Sequence, residues 1–115
     1  MGQYFRFVNV AKREYVDSPH VAKLWEWCIN PEAGLFPYLL RKSDETGGGD
    51  IDDLDQAPYA GRWAGDKCYL VGDYDSSGLY DEAKQNYTDI SRALIEEYDN
   101  FVKLPEDQVE PRKLT

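Results

Sequence analysis

Hydrophobic positions in this chain recur with two different periods, and the switches between them outline its elements. From Gln3 to Val10 the residues Tyr4, Phe5, Phe7, Val8 and Val10 are aromatic or β-branched, side chains that fit a pleated surface better than a helix. A strand is expected there, and a polar break over residues 11–14 followed by Tyr15-Val16 predicts a hairpin return. Ser18-Pro19 then reads as a helix start, because a Ser oxygen caps free amides and Pro at the first helical position loses no bond. Val21, Leu24, Trp25 and Cys28 follow at i, i+3, i+4 and i+7, which predicts one core-facing stripe, and Asn30-Pro31 stops it. The next apolar run, Leu35 to Leu40, contains Pro37; a helix beginning near Pro37 is the preferred reading, an edge strand the alternative.

Between Ser43 and Tyr59 the period disappears, and Gly47, Gly48 and Gly49 lead into Asp50-Ile51-Asp52-Asp53-Leu54-Asp55. Loops of this length inside a small domain are often functional or mobile. Arg62-Trp63 meets a turn at Ala64-Gly65-Asp66, and Lys67 to Tyr74 is apolar on both phases for most of its length. That pattern predicts a central strand covered on both faces, with Gly65-Asp66 closing a hairpin back to residues 61–63. After a polar loop, Asp75 to Gly78, a short helix is expected from about Tyr80 to Tyr87. Thr88 is expected to cap a longer one carrying Asp89 in its first turn. Ile90, Leu94, Tyr98, Phe101 and Val102 fall on one stripe of that helix, with Glu96, Glu97 and Asn100 off it. Pro105 ends it, and residues 105–115 read as a frayed tail. The fold class expected is α+β: one domain over residues 1–104, a small, mostly antiparallel sheet packed against two or three amphipathic helices.

Composition agrees with a single core. A chain of 115 residues buries roughly two-thirds of its unfolded surface, and three Trp, nine Tyr and four Phe supply the bulk to offset backbone ordering. No apolar run approaches the ~20 residues that cross a bilayer, and the N-terminus lacks the features of a secretory signal, so a cytoplasmic location is expected. Arg6 stands where a myristoylation motif wants Ser or Thr. Cys28 and Cys68 each lie in an apolar stretch and read as buried free thiols; with His20 the only histidine, they cannot build a conventional zinc site within one chain. His20 itself, beside Pro19, reads as a helix-start residue.

Charge changes the picture more. The net charge of −9 divides into +2 over residues 1–43, −13 over residues 44–110 and +2 over residues 111–115. An acidic surface argues against nucleic acid or anionic membrane as a partner, since phosphate binding needs cations. It allows a basic protein, a cation, or simple solubility.

Three segments carry candidate chemistry. From Asp73, oxygen-bearing side chains fall at positions one, three, five and nine (Asp73, Asp75, Ser77, Asp81) with Gly78 at six, the spacing that wraps hard oxygens around calcium. The twelfth position, which should hold a bidentate Glu, is Lys84, so calcium binding would be weak, and a strand-to-helix turn is the structural alternative. The glycine run with Asp50, Asp52, Asp53 and Asp55 lacks the Lys and Ser or Thr of a phosphate loop, and its carboxylates repel phosphate. A solvated loop is the simpler account. Finally, Arg62 and Trp63 are residue types that dominate interfaces, against the alternative that Trp63 fills the core and Arg62 pairs with a carboxylate. No Ser, His and acid pattern suggests a catalytic centre.

The segments Met1-Gly2-Gln3-Tyr4 with Val8-Asn9, Gly47-Gly48-Gly49-Asp50, Gly61-Arg62-Trp63-Ala64-Gly65-Asp66, Val71-Gly72-Asp73-Tyr74 and Tyr87-Thr88-Asp89-Ile90-Ser91, in this order, resemble a family of small uncharacterised, mainly bacterial proteins. These begin M-G-Q-Y and carry G-R-W-A-G-D followed by V-G-D-Y. The resemblance spans residues 1 to about 102 and departs between Pro19 and Ser43, where the family often has a P-H-K-L-type segment. It implies a domain and brings no activity, cofactor or partner. The functional expectation is therefore a non-enzymatic acidic interaction module, an inhibitor or immunity-type partner of a basic protein, with Arg62, Trp63, Asp50, Asp52 and Asp53 as binding residues. A weak calcium domain at Asp73, Asp75, Ser77 and Asp81 is the first alternative. The second is a small enzyme using loop carboxylates, which requires a deep pocket beside Asp50 and Asp66.

Overall fold

Alternation along the first strand sets the layering of the whole domain. The computed structural model describes residues 2–19 and 21–101. Strand β1, Phe5–Asn9, turns Phe5 and Phe7 to one face and Arg6 and Val8 to the other. The expected hairpin forms: β1 pairs antiparallel with β2, Glu14–Val16, with Phe7 opposite Val16 and Asn9 opposite Glu14. Arg13 closes the turn at φ 57, a left-handed conformation uncommon for a side chain of this size.

Helix α1 runs Leu24–Ile29, not from Ser18. Ser18 is instead drawn into an isolated bridge with Val21, and Glu26 Oε1 reaches back to accept the Lys23 N–H at 2.9 Å, fixing the later start. The later start also changes which face turns inward. Trp27 is buried, its indole N–H donating to the Phe5 carbonyl at 3.2 Å, whereas Leu24, Trp25 and Cys28 of the expected stripe are exposed. Cys28 is thus not the buried thiol anticipated; Cys68 is half-buried, and both are free.

A 3₁₀ turn at Pro31–Gly34 leads into α2, Leu35–Leu40. Pro37 sits in the first turn, where its missing N–H costs no helical bond. Beyond the long loop, which holds only a 3₁₀ turn at Leu54–Gln56, comes strand β3, Cys68–Gly72. It pairs antiparallel with β1, Phe5 opposite Gly72 and Asn9 opposite Cys68. The sheet order is β3-β1-β2-β4, so β3 is an edge strand and β1 a central one. The expected hairpin back to residues 61–63 is absent: Gly61 and Trp63 instead give their N–H groups to the carbonyls of Tyr38 and Leu39 at the end of α2.

Helix α3, Leu79–Asn86, follows as expected, starting after Gly78 at φ 75. Thr88 does not cap the last helix. Thr88–Asp89 forms β4, parallel to β2, because the Thr88 N–H bonds Arg13 O at 2.9 Å and the Ile90 N–H bonds Tyr15 O at 3.1 Å. Helix α4, Ser91–Phe101, starts just after, and Asp89 Oδ1 accepts the Ser91 N–H at 2.9 Å. The result is an open, mixed α+β fold with four α-helices among the described residues.

Two hydrophobic clusters cover the two sheet faces. The larger gathers Phe7, Val16, Val21, Trp27, Leu35, Leu39, Trp63, Ile90 and Leu94 beneath α1, α2 and α4; the smaller joins Val8, Tyr15 and Val71 to Ala83 of α3. Tyr98 and Phe101 of the expected α4 stripe pack against the larger one, but Glu97, expected off the stripe, is buried. His20, Val102 and the tail over residues 105–115 lie outside the described residues.

Candidate functional site

Arg41, at the end of α2, organises the long loop. Its Nε and Nη2 donate to the two carboxylate oxygens of Asp50 at 2.8 and 2.5 Å, while Nη1 and Nη2 also reach Ser43 O and Glu45 O at 3.2 and 2.8 Å. Those bonds, with help from backbone N–H donors of the loop, hold the Asp50 carboxyl down to about 2. A rigid clasp of this kind lets the glycine-rich segment fold back, with Gly49 at φ 83 making the reversal.

The clasp brings Asp44, Glu45, Asp52, Asp53 and Asp55 around one shallow, open depression of about 450 Å³. All five are exposed, and among the described residues none makes an ion pair. Asp53 Oδ1 accepts the Asp55 N–H at 3.0 Å, which fixes the short 3₁₀ turn. Elsewhere Asp17 is paired with Arg6, Asp66 with Lys12, Asp50 with Arg41 and Glu14 with Arg62, while Asp73, Asp75 and Glu97 accept from uncharged donors within the chain. The depression gathers five carboxylates that no ion pair compensates among the described residues.

Of the residues anticipated for partner binding, Asp52 and Asp53 line this depression and the others do not. Trp63 is fully buried and cannot serve as a surface anchor. Its indole N–H donates to Glu14 Oε1 at 2.8 Å, and Arg62 grips the same carboxylate through Nε at 3.0 Å and Nη2 at 2.6 Å. Burial pushes Glu14 upward, but the bonds from Arg62 and Trp63 outweigh it and hold the carboxyl below its usual range. The Gly61-to-Asp66 motif is therefore a clamp on β2. Asp66 accepts from Asn9 Nδ2 at 2.9 Å and Lys12 Nζ at 2.5 Å, so it and Asp50 are each engaged with a different part of the chain.

The loop after β3 is built as a turn. Asp73 Oδ1 accepts the Tyr4 N–H at 3.0 Å; Asp75 Oδ2 accepts both the N–H and the hydroxyl of Ser77, and Ser77 Oγ accepts the Leu79 N–H at 3.2 Å. These bonds lower Asp75 and point its oxygens into the turn. Among the described residues no group of three or more His, Cys, Asp or Glu side chains is placed to share a metal ion.

Sequence reasoning missed the buried carboxylates. Glu97 accepts the Tyr38 hydroxyl at 2.7 Å and the Tyr59 N–H at 2.9 Å, tying α4 to α2 and the long loop. The signal was present in the spacing, since Leu94, Glu97 and Phe101 stand three and four apart on one helix face. Glu14 likewise shares the phase of Val16 in β2.

Fold and site together define a small α+β domain with an open mixed sheet and an acidic loop. No family profile, curated protein or solved structure matches the chain. Among the described residues no helix is long and apolar enough to cross a membrane.

Proposed function

We propose that this domain is a protein-binding module that docks a basic surface of another protein into the acidic depression of the loop over residues 44–55, in the manner of an inhibitor or immunity-type partner. The observation that carries the reading is the gathering of acids: Asp44, Glu45, Asp52, Asp53 and Asp55 crowd one concavity and, among the described residues, none of them forms an ion pair, whereas Asp17, Asp66, Asp50 and Glu14 are each matched by a cation within the chain. Like charges held together repel at short range, and an incoming Lys or Arg surface relieves that repulsion. Because the carboxylates are solvated, the gain appears chiefly as faster, salt-sensitive association. The Arg41 clasp adds preorganisation, so the loop's shape is set before a partner arrives.

The test is affinity capture with the native chain and with a variant carrying Asp44→Asn, Glu45→Gln, Asp52→Asn, Asp53→Asn and Asp55→Asn, the retained proteins being identified by mass. The native chain is expected to retain basic proteins that the variant loses and that elute as salt is raised. Retention of only neutral or acidic proteins, or equal retention by both chains, refutes the reading.

A further inference from the structure

The two edges of the sheet are finished differently. On one side β4 is two residues long, which leaves little to pair with. On the other, β3 is a five-residue strand with no strand beyond it among the described residues. Its register fixes which backbone groups are spent. The Val10 N–H reaches Lys67 O at 3.1 Å and the Asp73 N–H reaches Tyr4 O at 2.8 Å, so residues 67, 69, 71 and 73 exchange bonds with β1. Cys68, Leu70 and Gly72 turn their N–H groups the other way. Along this outer edge runs a concavity of about 840 Å³ that wraps both faces of the strand, bounded by Phe5 and Gln3 on one side and Leu79 and Tyr87 on the other. Tyr69 and Tyr74 stand beside it, 45% and 61% exposed, where edge strands ordinarily carry protection.

The occupant is indicated by the sequence of the strand itself. We infer that β3 pairs antiparallel with β3 of a second copy of this chain, about a twofold axis at Leu70, joining two four-stranded sheets into one. A twofold at Leu70 places Leu70 opposite Leu70, an outward-facing pair that exchanges both backbone bonds, and Cys68 opposite Gly72 in the same bonding phase. Tyr69 falls opposite Val71, an aromatic and β-branched pair of the kind that stabilises sheets. Lys67 falls opposite Asp73 at both ends. Lys67 has no carboxylate partner among the described residues; its ammonium rests 5.9 Å from its own Tyr69 ring, within reach of a neighbouring strand. Edges that avoid self-association repeat one sign of charge or point charges inward, whereas this one ends in opposite signs spaced so that a reversed copy attracts it. None of these observations involves the acidic depression.

Sedimentation equilibrium of the full chain, from about 10 μM to about 1 mM in about 0.15 M salt, is expected to show mass rising from 13.3 kDa toward twice that value. Lys67→Glu sets acid against acid at both ends of the pairing and is expected to weaken association roughly tenfold to thirtyfold. Asp73→Lys should do the same, and the double variant Lys67→Glu with Asp73→Lys should restore it, because the two positions meet only between copies. Amide exchange in the unaltered chain provides a reading independent of any variant: the Cys68, Leu70 and Gly72 N–H groups should slow as concentration rises, while those of Tyr69 and Val71 stay constant. A monomer at every concentration, a dimer indifferent to Lys67→Glu, single variants without rescue in the double, or protection of those three amides that does not depend on concentration would each overturn the inference, the last by showing the edge covered by the chain itself.

Discussion

Glu14 offers the sharpest test of how this domain is held together. Replacing it with Ala removes the acceptor of the Trp63 indole N–H, and Trp63 is fully buried. An orphaned buried donor costs about 1–3 kcal/mol. Arg62 also loses its partner, but its side chain is 38% exposed and rehydrates, so the ion pair adds no more than about 1 kcal/mol. The expected destabilisation is about 3 kcal/mol, a large share of the roughly 5–15 kcal/mol that holds a domain folded. Glu14→Gln keeps an oxygen for the indole and loses only charge, so about 1 kcal/mol is expected for it. Urea unfolding followed by tryptophan fluorescence measures both. If Ala and Gln are equally harmful, or Ala costs less than about 1 kcal/mol, the indole bond is not what the geometry implies. Acid supplies a second readout. The folded pKa of Glu14 lies below its ordinary value of 4.5, so the stabilisation is present above that pH and is lost as pH falls through the lowered folded value. Below pH 4.5 the Glu14→Gln variant should therefore lose stability less steeply than the parent.

Three further outcomes follow from single contacts. Tyr38→Phe deletes the hydroxyl bond to Glu97 but leaves the Tyr59 N–H on the same carboxylate, so a loss of about 1–2 kcal/mol is expected in urea unfolding. Gly61→Ala places a methyl carbon 2.3 Å from the Arg41 carbonyl oxygen at a φ of 76, whereas Gly65→Ala, at φ 81, meets nothing within 4 Å. The first should lower the melting temperature by roughly 10 °C or more and the second by about 5 °C, the clash being the difference. Arg41→Gln removes the chief cause of Asp50's low pKa, and a carboxyl carbon NMR titration should find it rising from about 2 toward the ordinary 3.8.

The hairpin of β1 and β2 and helix α3 were legible from local composition and turn residues, and most of the inward face of α4, Glu97 excepted, from its 3.6-residue period. Where the reading failed, a partner distant in sequence decided. Lys67 to Tyr74 looks central because Tyr69 and Val71 are apolar on one phase and Cys68 and Leu70 on the other, yet its place at the edge depends on which strands β1 selects. Thr88 has the chemistry of a helix cap, but the left-handed Arg13 presents a carbonyl that pulls it into the sheet. In α1, six residues long, Trp25 and Trp27 compete for the interior, and a shift in the starting residue reverses the winner. At the candidate site Asp52 and Asp53 were anticipated because a polar, glycine-bordered run must be a surface loop; the alternative that Trp63 fills the core and Arg62 pairs with a carboxylate is the one the fold adopts, but the partners themselves, Glu14 for both and Arg41 for Asp50, are visible only in three dimensions.

The unequal filling of the two sheet faces has a dynamic consequence. Among the described residues Val8, Tyr15, Val71 and Ala83 form the buried heart of the α3 side, against twelve residues on the other. Helix α3 thus rests on the smaller cluster, and few buried apolar side chains are what local opening of a segment requires. Two cations of the β1–β2 hairpin hold its ends: the Arg6 guanidinium stacks 4.0 Å from the Tyr80 ring and donates to the Tyr80 carbonyl, and the Arg13 guanidinium lies 5.0 Å from the Tyr87 ring, so the helix is pinned to the strands by charge where apolar contact is thin.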